Sequence, residues 1–155
     1  MTDAKLPVDA SATITCIIAD DHQLVRRGLV ATVEDEVDFT VVAEASSAGE
    51  STELTRQLRP RLVILDVNMP GSGLDACRRI KAEFSDIHTI MYSFRQDSEI
   101  IRASKEAGAS SYIVKGTSGP AFISALREVI AGRVIFNVWA PTPQVGNAGS
   151  ADDGC

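Results

Sequence analysis

The chain has 155 residues and a formal charge of −6, a length that suits one domain with a sizeable core. Its acidic balance speaks against a phosphate-backbone partner for this chain alone, because non-specific nucleic-acid affinity comes from basic surface. No apolar run approaches the roughly 20 residues of a membrane helix, and the first residues lack the basic and apolar regions of a signal peptide, so a cytoplasmic location without membrane contact is expected.

Residues 1–12 are small and polar without periodicity, the pattern of a frayed lead-in. Ile14–Ala19 is a short apolar run ending in Asp20-Asp21, after which Leu24, Val25, Leu29 and Val33 recur at helical spacing, so a strand passes into a helix. Asp21 as a helix cap and His22 as a solvent-facing first-turn residue are the plain readings of that junction. Residues 39–43 read as a second strand. Ala48–Leu58 reads as a helix with its apolar face carried by Leu54 and Leu58, stopped by Pro60. Residues 62–65 are four consecutive apolar residues, as in a strand of a parallel sheet covered on both faces. Asp66 ends that run, and Met69-Pro70-Gly71-Ser72-Gly73 after it must be a loop.

A helix follows over about 74–84, with Cys77, Ile80 and Phe84 on one face. Gly71 and Gly73 do not form a dinucleotide-binding turn, which would follow the first strand, where Asp20-Asp21-His22 stands instead. Residues 89–92 give a fourth strand ending at Ser93. Residues 97–107 give a helix closed by Gly108. Ser111–Val114 is a fifth strand ending at Lys115. Ser118 and Pro120 then open a helix with Phe122, Ile123, Leu126, Val129 and Ile130 as its buried stripe. This alternation predicts an α/β, flavodoxin-like domain over residues 13–133: a doubly wound five-stranded parallel sheet in strand order 2-1-3-4-5. Residues 134–155 are expected to be a tail or linker stub. Its apolar start, 133–139, either packs back on the domain or begins a linker, and its Pro-, Gly-, Asn- and Ser-rich remainder is expected to be disordered. Cys16, Cys77 and Cys155 have neither metal-knuckle nor disulfide spacing.

The predicted strand order gathers the polar strand ends. Strands one, three, four and five end at Asp20-Asp21, Asp66, Ser93 and Lys115, all on the carboxyl edge, and strands one and three adjoin at the switch point where such sheets bind ligands. Three close carboxylates repel one another unless a cation holds them ionised, and an oxygen-only cluster suits Mg²⁺. Asp66 is then an oxygen nucleophile, with Lys115 and Ser93 placed to neutralise and hydrogen-bond an incoming phosphoryl group.

The Asp pair, L-D-V-N-M-P at 65–70, Ser93 and Y-I-V-K at 112–115 together resemble the response-regulator receiver domains of two-component signalling. The resemblance implies a signalling switch rather than an enzyme, in which Asp66 accepts a phosphoryl group from the phosphohistidine of a sensor histidine kinase. It implies that Asp21, Asp66 and the backbone carbonyl of Asn68 ligate Mg²⁺, with Asp20 acting through water. It also implies that Ser93 and Tyr112 couple phosphorylation to a protein interface, homodimer formation being one outcome. The phosphoryl group would draw Ser93 toward its oxygens and vacate space for the Tyr112 ring.

The D-D-H after strand one, A-G-A-S-S-Y-I-V-K-G at 107–116 and A-G-R at 131–133 look most like the branch that usually carries a LuxR-type helix-turn-helix. Too few residues follow Arg133 for that bundle, so the expectation is a stand-alone regulator or the receiver part of a transcription factor, without DNA binding by this chain alone. Phe94 departs from the family pattern, which commonly has a small residue after the hydroxyl. Two rival readings stand beside this one. A flavodoxin-like phosphohydrolase with Asp66 as nucleophile would want a general acid where Asn68 stands. A receiver that signals by contact alone would have lost part of the acceptor set.

Overall fold

A computed structural model describes residues 13–136. The elements follow one another as β1 (Ile14–Ala19), α1 (Gln23–Glu34), β2 (Phe39–Ala45), α2 (Ala48–Leu58), β3 (Leu62–Asp66), α3 (Gly73–Glu83), β4 (His88–Ser93), α4 (Ser98–Glu106), β5 (Ser111–Val114) and α5 (Gly119–Ile130). The strands run parallel in the order β2-β1-β3-β4-β5, as the alternation predicts.

All five residues of β3 are buried, because successive side chains of a central strand enter opposite cores. Val63 and Leu65 join Ile17, Met91, Tyr112 and Val114 under α2, α3 and α4. Leu62 and Ile64 join Cys16, Ile18, Ile90 and Ile113 under α1 and α5. Each such aliphatic side chain stabilises the fold by about 1.5–3 kcal/mol on burial, which is why the strand reads as an unbroken apolar run.

Several local expectations need correction. The inward face of α2 is Ala48, Ser51, Thr52 and Thr55, while Leu58 is exposed and Leu54 only partly buried. The hydroxyls of Ser51 and Thr55 donate to the carbonyls of Ala48 (2.8 Å) and Ser51 (2.7 Å), so small polar side chains can be buried with their hydrogen bonds made inside the helix. Leu24 is 88% exposed, and the buried stripe of α1 is Leu29 and Val33. His22, not Asp21, is the N-cap residue of α1, and its side chain makes no capping bond. β2 extends to Ala45 with a bulge at Val42, since Cys16 pairs with Val41 and Ile17 with Ala43.

Beyond α5, residues 133–136 run back along the domain. The Ile135 amide donates to the Ser110 carbonyl (2.9 Å), Ile135 forms a parallel bridge with Ser111, and Phe136 packs against the core beneath α4. Residues 1–12 and 137–155, with the expected lead-in, most of the tail and Cys155, lie outside the described residues.

The turn from β3 into α3 is where the backbone has least room. Gly71 and Ser72 both take left-handed φ values, +87° and +75°, and the Ser72 side chain caps α3 by accepting from the Asp75 amide (3.3 Å). Gly73 donates its amide to the Val67 carbonyl (3.1 Å), and a Cβ there would lie 2.0 Å from the Asp66 carbonyl oxygen. Gly73→Ala is therefore expected to destabilise the domain by about 1–3 kcal/mol, read as a lower urea midpoint at unchanged slope. An unchanged midpoint would show that the turn relaxes freely.

Candidate functional site

Backbone bonds pin each strand end before any side chain acts. The Asp20 amide donates to the Ala45 carbonyl (2.9 Å), the Val67 amide to the Tyr92 carbonyl (3.2 Å) and the Lys115 amide to the Ser93 carbonyl (2.7 Å). A clamp not legible in the sequence holds the first junction. Arg26 donates from Nη1 to the Asp20 carbonyl (2.7 Å) and from Nε to Glu44 (2.8 Å), and Arg27 donates to the other Glu44 oxygen (3.0 Å).

The side chains meet as the strand order requires. The buried Lys115 ammonium lies 2.9 Å from Asp20 Oδ2 and 3.3 Å from Asp66 Oδ1. Asp20 Oδ1 accepts the His22 amide (2.9 Å) and Asp66 Oδ1 the Asn68 amide (3.3 Å). Asp20 is fully buried and Asp66 3% exposed, whereas Asp21 is a partly exposed rim residue. Asp20 Oδ2 faces the ammonium outside hydrogen-bond alignment, and no donor among the described residues reaches it. One cation thus opposes two buried carboxylates, with a third at the rim.

The charge imbalance shows in the titration of Asp66. Burial pushes its carboxyl above the ordinary range, the neighbouring Asp20 charge pushes it further, and Lys115 and the Asn68 amide pull it back. Ligand-capable atoms of Asp20, Asp21, His22 and Asp66 all lie within 4.8 Å of one another. This is a metal-capable acidic pocket, and its carboxylate oxygens suit a hard divalent cation. The His22 ring is largely exposed, as the sequence suggests, but turns back so that Nδ1 is 3.4 Å from Asp21 Oδ1.

Ser93 and Tyr112 meet at the backbone of a single residue, Arg95. The Ser93 hydroxyl accepts the Arg95 amide (3.1 Å), and the Tyr112 hydroxyl donates to the Arg95 carbonyl (2.6 Å). Tyr112 is fully buried, and burial pushes its phenol up. The Tyr112 ring is buried in this structure, with its hydroxyl bonded to the Arg95 carbonyl. Tyr92 and Phe94 flank the Lys115 ammonium, with ring centroids 5.6 and 5.3 Å from it. Tyr92, which strand periodicity presents as a packing residue, also stacks edge-on against Phe122 at 5.5 Å. Phe94 is 67% exposed and walls the site toward solvent.

The raised Asp66 carboxyl has a thermodynamic sign. The folded state binds that proton more readily than the unfolded chain, so the ionised form costs stability at neutral pH, and the cost fades as pH falls through the raised value. Asp66→Asn is expected to melt a few degrees higher than the parent at pH 7 without divalent metal. That advantage should shrink on acidification and on adding a divalent cation. An equal or lower melting temperature would show that Lys115 already compensates Asp66 in full.

Residues 16–127 match the family described as the response regulator receiver domain. The response regulator GacA of Pseudomonas viridiflava is 34% identical over 121 residues, which are 77% of this chain and 56% of GacA. The DNA-binding transcriptional activator DevR/DosR of Mycobacterium tuberculosis is 32% identical over 125 residues, 80% of this chain and 58% of that protein. The chain thus spans little more than half the length of these curated relatives. Among solved structures, a LuxR-family two-component response regulator from Aurantimonas sp. SI85-9A1 superposes with a TM-score of 0.76 at 32% identity, covering 79% of this chain and 88% of that one. The isolated receiver domain of RcsB from Salmonella enterica, at 23% identity and a TM-score of 0.74 over 80% of this chain and 93% of that one, shares the fold. With the acidic pocket, the buried lysine and the strand order in agreement, the chain belongs to the response regulator receiver domain family of two-component signalling, beside regulators of the LuxR type.

Proposed function

We propose that Asp66 is the phosphoacceptor of this receiver and that its phosphorylation by a sensor histidine kinase switches a protein interface. The observation that carries the reading is the buried Lys115 ammonium between Asp20 and Asp66, beside the buried Ser93 hydroxyl. Asp21, Asp66 and the Asn68 carbonyl would hold Mg²⁺, with Asp20 reaching it through water. When bound, the metal supplies positive charge for the carboxylates and for the incoming phosphoryl oxygens. An Asp66 carboxylate oxygen attacks phosphorus as the bond to the donor imidazole nitrogen breaks. Lys115 neutralises charge on the transferred oxygens, and Ser93 donates its hydroxyl to one of them.

The phosphohydrolase alternative gains nothing here, because Asn68 offers no proton two residues after Asp66 and the relatives named above are regulators. We infer a cytoplasmic switch, homodimer formation being one outcome of its phosphorylation, that does not bind DNA by this chain alone, since a net charge of −6 repels phosphate.

With Mg²⁺ and a small phosphodonor, intact-mass analysis should show one added phosphoryl group, absent in Asp66→Asn. Lys115→Ala should slow its formation about 10²-fold, as loss of a charge-stabilising donor does. Normal yield without metal, or in the Asn variant, refutes the assignment.

Phe94 bears on the lifetime of the acyl phosphate, since its ring stands between Lys115 and solvent. Phe94→Ala should open the site to water and speed loss of the phosphoryl group several-fold, with Phe94→Leu in between. Equal decay rates in a chase experiment would remove the ring from the access path.

A further inference from the structure

The inference concerns the segment after α5. Phe122, Ile123, Leu126 and Val129 of α5 pack on the α1 side of the sheet, yet Phe136 packs on the opposite side, against the cluster holding Ile100, Ala107, Tyr112 and Val114. Residues 131–136 therefore wrap around the free edge of β5. Gly132, at φ +98°, makes the turn. Its amide and that of Arg133 close on the carbonyls of Val129 (2.9 Å) and Glu128 (3.1 Å), and the Arg133 guanidinium pairs with Glu128. The Ile135 amide then bonds to the Ser110 carbonyl, covering part of an edge that would otherwise stand open. The Phe136 ring lies 5.2 Å from the Lys105 ammonium of α4.

Two features make this attachment marginal and place it in line with the acceptor site. Ser111, the bridge partner of Ile135, is fully buried, and its hydroxyl has no hydrogen-bond partner among the described residues. An unsatisfied buried hydroxyl at the attachment point is unfavourable. The wall on which Phe136 leans contains Tyr112, whose hydroxyl donates to the carbonyl of Arg95, the residue whose amide Ser93 accepts. Turning the Ser93 hydroxyl toward a phosphoryl group on Asp66 withdraws it from the Arg95 amide and loosens the acceptor of the Tyr112 hydroxyl.

We propose that residues 133–136 are a clasp, closed over the β5 edge and α4 in the unphosphorylated protein and released when Asp66 is phosphorylated. The clasp is the element through which the receiver exports its state, exposing the β5 edge and the α4 flank together. This rests on the assignment of Asp66 as acceptor. Because coupling between sites is reciprocal, weakening the clasp must also favour the phosphorylated state.

The test uses the full chain with Mg²⁺ and beryllofluoride, which stands in for the phosphoryl group. Bound fluoride is followed by its NMR signal and the clasp by hydrogen exchange at the Ile135 amide. Exchange should speed about tenfold or more on binding, as for an element that opens locally. Phe136→Ala should exchange fast without the mimic and bind it about fivefold more tightly, within the usual range of such couplings. Lys105→Ala, a milder change at an exposed residue, should move both readings the same way by less. Ser93→Ala removes the bond to the Arg95 amide outright, so its Ile135 amide should exchange faster than the parent's without the mimic and change little further when the mimic binds. Binding in the parent with unchanged or slower Ile135 exchange, or unaltered affinity in both clasp variants, overturns the clasp alone. No bound fluoride in the parent overturns the acceptor assignment and the clasp with it.

Discussion

The Lys115 ammonium, buried against Asp20 and Asp66, constrains more of this molecule than any other contact. Burying each of these ions costs several kcal/mol after relaxation, and such pairs are often replaceable by apolar groups at no loss of stability. Packing alone therefore does not account for the arrangement. The three residues come from β5, β1 and β3, and β5 is not a neighbour of either acid-bearing strand. The lysine stem must pass over the end of β4. The residue there is Ser93, short enough to leave the passage open, and the rings of Tyr92 and Phe94 flank the ammonium as it crosses. Parallel order, strand length and the register of β4 on β5 all have to be right for one amine to reach two carboxylates.

The same electrostatics make the site receptive. Two buried carboxylates and a third at the rim face one ammonium, so the pocket is left with negative charge that burial amplifies, and the raised Asp66 carboxyl is the measure of it. A divalent cation and a phosphoryl group together suit such a place better than either alone, since the cation balances the carboxylates and the lysine is then free to face the phosphoryl oxygens. Gly73 contributes from beneath by letting α3 begin against the Asp66 carbonyl, so the acceptor strand ends in a fixed direction.

What the sequence disclosed and withheld divides along physical lines. Signals repeating at period two or 3.6 were legible. The unbroken apolar run before Asp66, the stripe of α5 and the polar residue closing four of the strands fixed the fold and brought Asp20, Asp21, Asp66, Ser93 and Lys115 to one edge. Features depending on what lies opposite were not legible. The inward face of α2 is small and hydroxylated because that helix packs tightly, so Leu58 misled. Leu24 fits the periodicity of α1 but stands 88% exposed in its first turn. The Arg26–Glu44 clamp, the cation–ring contacts of Tyr92 and Phe94 and the bridge of Ile135 to Ser111 each join residues distant in sequence.

β5 ties these observations together by its shortness. It has four residues, a length of about 13 Å at the usual rise per residue. One end carries Lys115 into the acceptor site and the other carries Ser110 and Ser111 under residue 135. Tyr112 and Val114 project toward α4 while Ile113 enters the other core. A rearrangement at the Arg95 backbone therefore needs to cross only one side chain, Tyr112, to reach the wall that supports Phe136. The α1 and α5 side is packed through aliphatic and aromatic groups around Ile113, and a close-packed apolar core offers few alternative arrangements. The asymmetry between the two faces favours the α4 side of the sheet for the proposed readout, where the backbone of one residue, Arg95, rather than a whole core would have to change.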